Sequence, residues 1–142
     1  DHETKLFNKK YFLAELKSTC AGSVRHNYPL SMLLVTIDDF EKENKKYDKK
    51  TKIQTLERFG ALITSLVRIS DIPCRYDENI FCILLPFTEK ENASIPEDHI
   101  RQALQKDDWM IGKKIAFNFT VTEFDKKETE EAFITRTLDL LT

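Results

Sequence analysis

Arg68 and Asp71 stand three residues apart in the run Arg68-Ile69-Ser70-Asp71, at the end of a long apolar-periodic segment. Spaced i, i+3 at a helix end, the two side chains share a face. An arginine fork takes a guanine edge or a phosphate in two parallel hydrogen bonds, and a neighbouring carboxylate accepts from the N1 and N2 hydrogens of guanine. The pair therefore suits a guanine-bearing dianion. The plainer alternative is a surface ion pair that stabilises the helix end by roughly a few tenths of a kcal/mol. Shortly downstream, the acidic turn Asp77-Glu78-Asn79 separates two apolar runs. Upstream, the apolar run Leu30 to Ile37 stops at Asp38-Asp39, and the lysine-rich stretch Phe40 to Lys52 follows. That stretch reads either as a phosphate-attracting patch or as a solvated surface. No Ser-His-Asp or Cys-His arrangement, phosphate loop or metal pair stands out. His2, His26 and His99 lie far apart, and the three cysteines show no metal spacing. Cys74 and Cys82, inside apolar strand-like runs, read as small buried hydrophobes, which fits a reducing cytoplasmic setting.

The elements that must position these residues follow from periodicity. A helix is expected from Asn8, a plausible N-cap, to Thr19, with Tyr11, Phe12, Leu13 and Leu16 as its apolar stripe. Ala21-Gly22-Ser23 is expected to end it. Leu30 to Ile37, nearly all apolar, reads as a central strand buried on both faces. Thr51 to Ile69 is the strongest helix pattern, with Ile53, Leu56, Phe59, Ile63, Leu66 and Val67 on one face. Gly60 on that face implies close packing. Ile72–Tyr76 and Ile80–Leu85 read as a hairpin whose turn lacks the glycine that tight hairpins favour, so a different turn geometry or strain is expected. Further helices are expected within Ala93 to Gln105 and from Lys127 to Leu141. Between them Lys114 to Phe124 reads as a strand, with Ile115, Phe117, Phe119 and Val121 inward and Ala116, Asn118, Thr120 and Thr122 on a solvated face. The order α β α β β α β α describes an α+β fold: a single central mixed or antiparallel sheet carrying a hairpin, covered by helices.

Composition bounds the rest. The 142 residues suit one domain with a real core. The net charge of -2 creates no global field favouring nucleic acid or an acidic membrane surface. No apolar run approaches the ~20 residues of a membrane span. The chain opens on Asp1 and not on methionine, so a single domain excerpted from a longer protein is expected.

Four stretches in order carry a resemblance to the GGDEF domain of diguanylate cyclases. The run from Asp1 to Phe12, DHETKLFNKKYF, resembles the family's opening D-x-L-T-x-L-x-N-R-R-x-F, and Thr36-Ile37-Asp38-Asp39-Phe40 falls where the family has D-I-D-x-F. Arg68-Ile69-Ser70-Asp71 resembles R-x-x-D, the family's product-inhibition motif, and Arg75 to Pro86 falls where the family has R-Y-G-G-D-E-F-x-x-L-L-P. The resemblance covers nearly the whole chain. It implies a nucleotidyl cyclase-like fold with a ferredoxin-like core, and a family chemistry in which two GTP molecules condense into cyclic di-GMP with two metal ions per site.

This sequence departs from that pattern at the chemistry. The family's first strand-end aspartate, a metal ligand, aligns with Thr36, and the signature glutamate, the other key ligand, aligns with Ile80. An isoleucine offers no oxygen to a hard cation. The turn glycines align with Asp77 and Glu78, followed by Asn79. The lysine after the phenylalanine becomes Glu41, the guanine-reading aspartate aligns with Ile53, and S-x-G aligns with Asn118 and Thr120. Asp38 and Asn44 are the positions kept, and the chain stops at Thr142, about where the last helix would supply a phosphate-binding lysine. The expectation is therefore a domain that is no enzyme: a catalytically inactive, regulatory GGDEF-like module with no metal and no cofactor. Its candidate ligand is cyclic di-GMP, held by Arg68, Asp71 and, by position, Arg101. The alternative is an interaction or dimerisation module without a nucleotide, partnered by a second copy or other signalling domains. Nucleic acid and membrane contact by this domain are not expected. A cytoplasmic location, in a protein that can itself be membrane-attached, is.

Overall fold

The computed structural model describes residues 1–38 and 49–141, apart from the side chain of Asp38. Helices α1 (Lys9–His26), α2 (Lys49–Leu66), α3 (Ser94–Lys106), α4 (Asp108–Lys113) and α5 (Glu130–Asp139) surround strands β1 (Leu30–Asp38), β2 (Ile72–Arg75), β3 (Ile80–Pro86) and β4 (Ala116–Glu123). The strands form one sheet in the order β2-β3-β1-β4, every neighbouring pair antiparallel. An isolated parallel bridge joins Phe7 to Cys74. The sheet is thus antiparallel rather than mixed, with the ferredoxin-like order that places the first and third strands at its centre.

Alternation along β1 divides the core in two. Leu33, Val35 and Ile37 pack with Leu56, Phe59 and Ile63 of α2 and with Ile100 and Leu104 of α3. Met32 and Leu34 pack on the other face with Phe12 and Leu16 of α1 and Phe133 and Ile134 of α5. Phe59 anchors the first cluster, its ring centroid 4.5 Å from that of Phe81 and 5.5 Å from that of Phe117. Cys20, Cys74 and Cys82 are free and buried in the second cluster. Burial pushes the thiols of Cys20 and Cys74 up to about 12, so both stay protonated at neutral pH.

Several element ends differ from the periodic reading, each for a local reason. Asn8 does cap α1, its Oδ1 accepting from the Tyr11 amide at 2.8 Å. The helix then runs through Ala21-Gly22-Ser23 to His26 and ends at Asn27, which takes the left-handed conformation at φ 52°. Gly22 does not stop it. It makes room for Tyr28, whose hydroxyl would lie 2.8 Å from any Cβ there. Helix α2 begins at Lys49, two residues ahead of the start expected at Thr51; the basic stretch before it, from Phe40 to Asp48, lies outside the described residues. The short helix α4 has no counterpart in the periodic pattern. Its signal is Asp107, whose Oδ1 accepts from the Met110 amide at 3.2 Å as an N-cap. Thr122, expected on a solvated face, is buried, its hydroxyl 2.7 Å from that of Thr137. The arrival of α5 over that end of β4 covers a position that alternation alone exposes.

Gly60 shows the close packing expected of it, because a Cβ there would collide with the carbonyl oxygen of Thr4. The backbone of the N-terminal segment thereby presses directly on α2. Overpacking costs about 1–3 kcal/mol, more where backbone must move. Gly60→Ala is therefore expected to lower the urea unfolding free energy by at least about 2 kcal/mol. At Gly112 an added Cβ would meet nothing within 4 Å, so Gly112→Ala should raise stability by roughly 0.5–1 kcal/mol in the same measurement. Equal effects at the two positions would contradict the close contact at Thr4.

Asp107 also binds Arg58, Nη2 to Oδ2 at 2.9 Å. Partial burial pushes the Asp107 carboxyl up, but hydrogen bonds from the Arg58 guanidinium and the Met110 amide outweigh it and hold its pKa below the ordinary 3.8. A carboxylate with a depressed folded-state pKa stabilises fully above the unfolded value and loses that contribution as pH falls through the folded one. Stability measured by urea unfolding should therefore drop on acidification below about pH 4, and Asp107→Asn should lessen that dependence. An unchanged profile in the variant would show that Asp107 does not contribute to it.

Candidate functional site

Two places collect the residues singled out from the sequence. The first lies where β1 and the β2–β3 turn meet. Register places Thr36 of β1 directly opposite Ile80 of β3 on one side and Asn118 of β4 on the other. Residues paired this way have Cβ atoms about 4.5–5.5 Å apart. The three side chains thus form a row across the sheet. With Asn79, Thr120, Leu140 and Leu141 they line a cavity of about 350 Å³. Asp38 ends β1 opposite Ala116, and Asn44 lies outside the described residues.

The turn is held without strain. The amides of Tyr76 and Asp77 both donate to the Ile80 carbonyl, at 2.8 and 3.1 Å, and Asp77 Oδ1 accepts from the Glu78 amide at 2.8 Å. The non-glycine residues with positive φ among those described are Lys5, Asn27, Phe87 and Lys114, so none sits in this turn. Asn79 ties the turn to β1: its carbonyl accepts from the Ile37 amide at 3.0 Å and its Nδ2 donates to the Ile37 carbonyl at 3.3 Å. Arg75 braces the turn from the other side, donating through Nη2 to the Glu78 carbonyl at 2.9 Å and pairing with Asp1 and Glu3. The ion-pair part of that brace is not legible in the sequence, since Asp1 and Glu3 lie more than seventy positions away. Asp77 and Glu78 are exposed, while Asn79 and Ile80 are half-buried. Chemically, the cavity offers amides, hydroxyls and hydrocarbon. Among the described residues no group of three or more His, Cys, Asp or Glu side chains could hold a metal. Ile80 places a hydrocarbon where a hard cation needs oxygen, so the described residues do not fit the two-metal arrangement that the resemblance implies.

The second place is the Arg68–Asp71 segment. It is a turn just beyond α2 rather than the last turn of the helix, closed by the Asp71 amide donating to the Arg68 carbonyl at 3.0 Å. Asp71 is spent on Arg68. Its Oδ2 accepts from the Arg68 amide at 2.9 Å, and its Oδ1 accepts from Arg68 Nη2 at 2.8 Å and Nε at 3.2 Å. Arg68 Nη2 also donates to the Pro86 carbonyl at 3.1 Å and to Thr88 Oγ1 at 2.9 Å. The hydrogen bond to Asp71 raises the Arg68 pKa further. The Asp71 side chain is 2% exposed and that of Arg68 is 55% exposed. The result is a fixed cation presented to solvent on a buried carboxylate. Thr88, a partner twenty positions away, has no signal in the sequence. Arg101 on α3 is engaged elsewhere, its Nε donating to Glu97 at 2.9 Å and its guanidinium 4.2 Å from the centroid of the Phe119 ring.

A family model described as "Diguanylate cyclase, GGDEF domain" matches residues 1–123. The chain is 32% identical over 101 residues to the response regulator PleD of Caulobacter vibrioides, covering 71% of this chain and 22% of that protein. It is 27% identical over 103 residues to the diguanylate cyclase DosC of Escherichia coli, covering 72% and 22%. The chain thus spans about a fifth of the length of these relatives. Among solved structures, the diguanylate cyclase SiaD of Pseudomonas aeruginosa, in complex with its activator SiaC, superimposes with a TM-score of 0.90 at 22% identity, covering 99% of this chain and 55% of that one. The GGDEF domain of DgcB from Caulobacter crescentus, in complex with c-di-GMP, gives 0.87 at 19% identity, covering 99% and 86%. At such identities these structures establish the fold alone.

The matches correct one expectation. The residues at Thr36, Asp77, Glu78, Asn79 and Ile80 point to a chain that is no enzyme, yet the family model and the relative DosC are those of diguanylate cyclases. Of those positions Thr36, Asn79 and Ile80 set which atoms face the cavity, whereas the family relationship is carried by the run from residue 1 to residue 123. The row across the sheet also makes a prediction. Thr36→Asp combined with Ile80→Glu should place two carboxylates on one cation, so calorimetric titration with Mn²⁺ should show affinity at least about tenfold above that of the unaltered protein. No gain would show that these two strand positions do not converge on a single ion.

Proposed function

Because the chain belongs to the GGDEF domain family, we propose that it works in cyclic di-GMP signalling as a regulatory module that takes the dinucleotide at Arg68. The observation that carries this reading is the Arg68–Asp71 arrangement. A buried carboxylate fixes a guanidinium whose side chain remains half exposed. Pre-ordering the guanidinium removes much of the entropy cost of binding, and with Nε and Nη2 engaged on Asp71, Pro86 and Thr88 the contact to a guanine edge or a phosphate falls to Nη1. Support also comes from the relatedness to cyclases and from the DgcB structure, which contains c-di-GMP.

The proposed roles within the motif differ. Asp71 is buried and already accepts from Arg68, so it acts as a positioning residue and ligand contact falls to Arg68. Arg101 pairs through Nε with Glu97 and lies over the Phe119 ring, and the reading gives it the lesser part in the site.

Calorimetric titration with cyclic di-GMP tests the reading. The unaltered protein should bind in the micromolar range or tighter. Arg68→Ala should weaken binding by about tenfold or more, the worth of a hydrogen bond to a charged group. Asp71→Asn should weaken it less than Arg68→Ala, and Arg101→Ala less again. Absence of heat at tens of micromolar ligand would discard the ligand reading in favour of an interaction module without a nucleotide.

A further inference from the structure

We propose that Phe87 is the stacking platform for a guanine base of the ligand held at Arg68, and so a specificity-determining residue of that site. The inference rests on the cyclic di-GMP reading and deepens it. Phe87 has φ 60°, in the left-handed region that a bulky aromatic side chain disfavours. It is the one aromatic residue among the described non-glycine residues with positive φ. Such a conformation persists only where the surroundings impose it, and here both flanks are pinned. The Thr88 amide donates to the Pro29 carbonyl at 3.3 Å, and Ser31 Oγ donates to the Thr88 carbonyl at 2.8 Å. Arg68 Nη2 holds the Pro86 carbonyl and Thr88 Oγ1, the groups on either side of Phe87 in the chain.

The strain is not offset by burial, because Phe87 is 63% exposed. Its ring leans on that of Tyr28, centroids 4.3 Å apart and planes at 38°, and the Tyr28 hydroxyl is tied to the Thr19 carbonyl at 3.0 Å. The ring is therefore braced on one side and open to solvent beyond it. Next to Arg68, Ile69 is fully exposed. A guanine is held by a cationic fork at O6 and N7 together with an aromatic surface for its π face. Arg68 supplies the cation through Nη1, its Nε and Nη2 being engaged on Asp71, Pro86 and Thr88, and Phe87, set between the two groups that Arg68 grips, supplies the aromatic surface.

The test is titration of the full chain with cyclic di-GMP, using Arg68→Ala, Phe87→Leu, Phe87→Gly and Phe87→Tyr beside the unaltered protein, with thermal melting of each. Stacking predicts that Phe87→Leu and Phe87→Gly weaken binding by about tenfold while Phe87→Tyr stays within about twofold. Glycine takes positive φ freely, so Phe87→Gly should melt no lower than the unaltered protein although it binds more weakly. A ring that merely packs on Tyr28 gives the opposite pattern, a lower melting temperature with unchanged affinity, and that result overturns the proposal. If Arg68→Ala loses binding while both Phe87→Leu and Phe87→Gly keep it, the platform falls and the Arg68 reading stands. If the unaltered protein does not bind cyclic di-GMP, both fall.

Discussion

Leu33, Val35 and Ile37 face one core and Met32 and Leu34 face the other, while β1 is paired along both edges. Sliding this strand by one residue would exchange the two sets of side chains between the two cores and break the pairing with β3 and β4 at once. That constraint fixes more than stability. It sets Thr36 opposite Ile80 and Asn118, brings the turn within reach of Ile37, and determines which face of the sheet the cavity occupies. It also carries Pro86 and Thr88 to the end of β3 where Arg68 can hold them.

The parts of this arrangement legible in the sequence are those written in local pattern. The apolar run Leu30 to Ile37 has no polar face to solvate, so it reads as a buried central strand. Asn8 and the three- and four-residue spacing of Leu56, Phe59 and Ile63 mark their helices directly. Gly60 is legible as a close approach, although its partner, the Thr4 carbonyl, is not. What escapes the sequence depends on contacts between distant segments. Gly22 reads locally as a helix stop, but Tyr28 fills the space beside it and the helix continues. Thr122 alternates with apolar neighbours and is still buried, because α5 brings Thr137 to it. The grip of Arg68 on Pro86 and Thr88, and of Arg75 on Glu3, likewise exists only once the sheet has formed.

The β2–β3 turn and the Arg68–Asp71 segment also differ in kind. The turn holds its geometry through backbone hydrogen bonds, the Asp77 and Asn79 side chains and the Arg75 brace, none of which requires a particular side chain at residue 80. This is why side-chain identity there is a poor guide to family: the sheet that defines the family is indifferent to whether residue 80 carries a carboxylate. At Arg68 the situation is reversed. The guanidinium is itself structural, joining Asp71, Pro86 and Thr88 across the end of the sheet, and the same ordering leaves a fixed, half-exposed cation. In the proposed reading structural and recognition roles coincide in one side chain. An Arg68 variant must therefore be checked for folding before its loss of binding is read as loss of contact.

The proposed binding mode is above all one of place: a guanine dinucleotide held at Arg68, at the end of β3, and not in the cavity between Thr36, Ile80 and Asn118. Residue-resolved NMR of ¹⁵N-labelled protein distinguishes the two places, following backbone amides and arginine Nε–H signals during addition of cyclic di-GMP. Binding at Arg68 predicts that the largest shifts cluster at Arg68 to Asp71 and at Phe87 and Thr88, with the Arg68 Nε–H among them. Shifts concentrated at Thr36, Asn79 and Asn118 would contradict it.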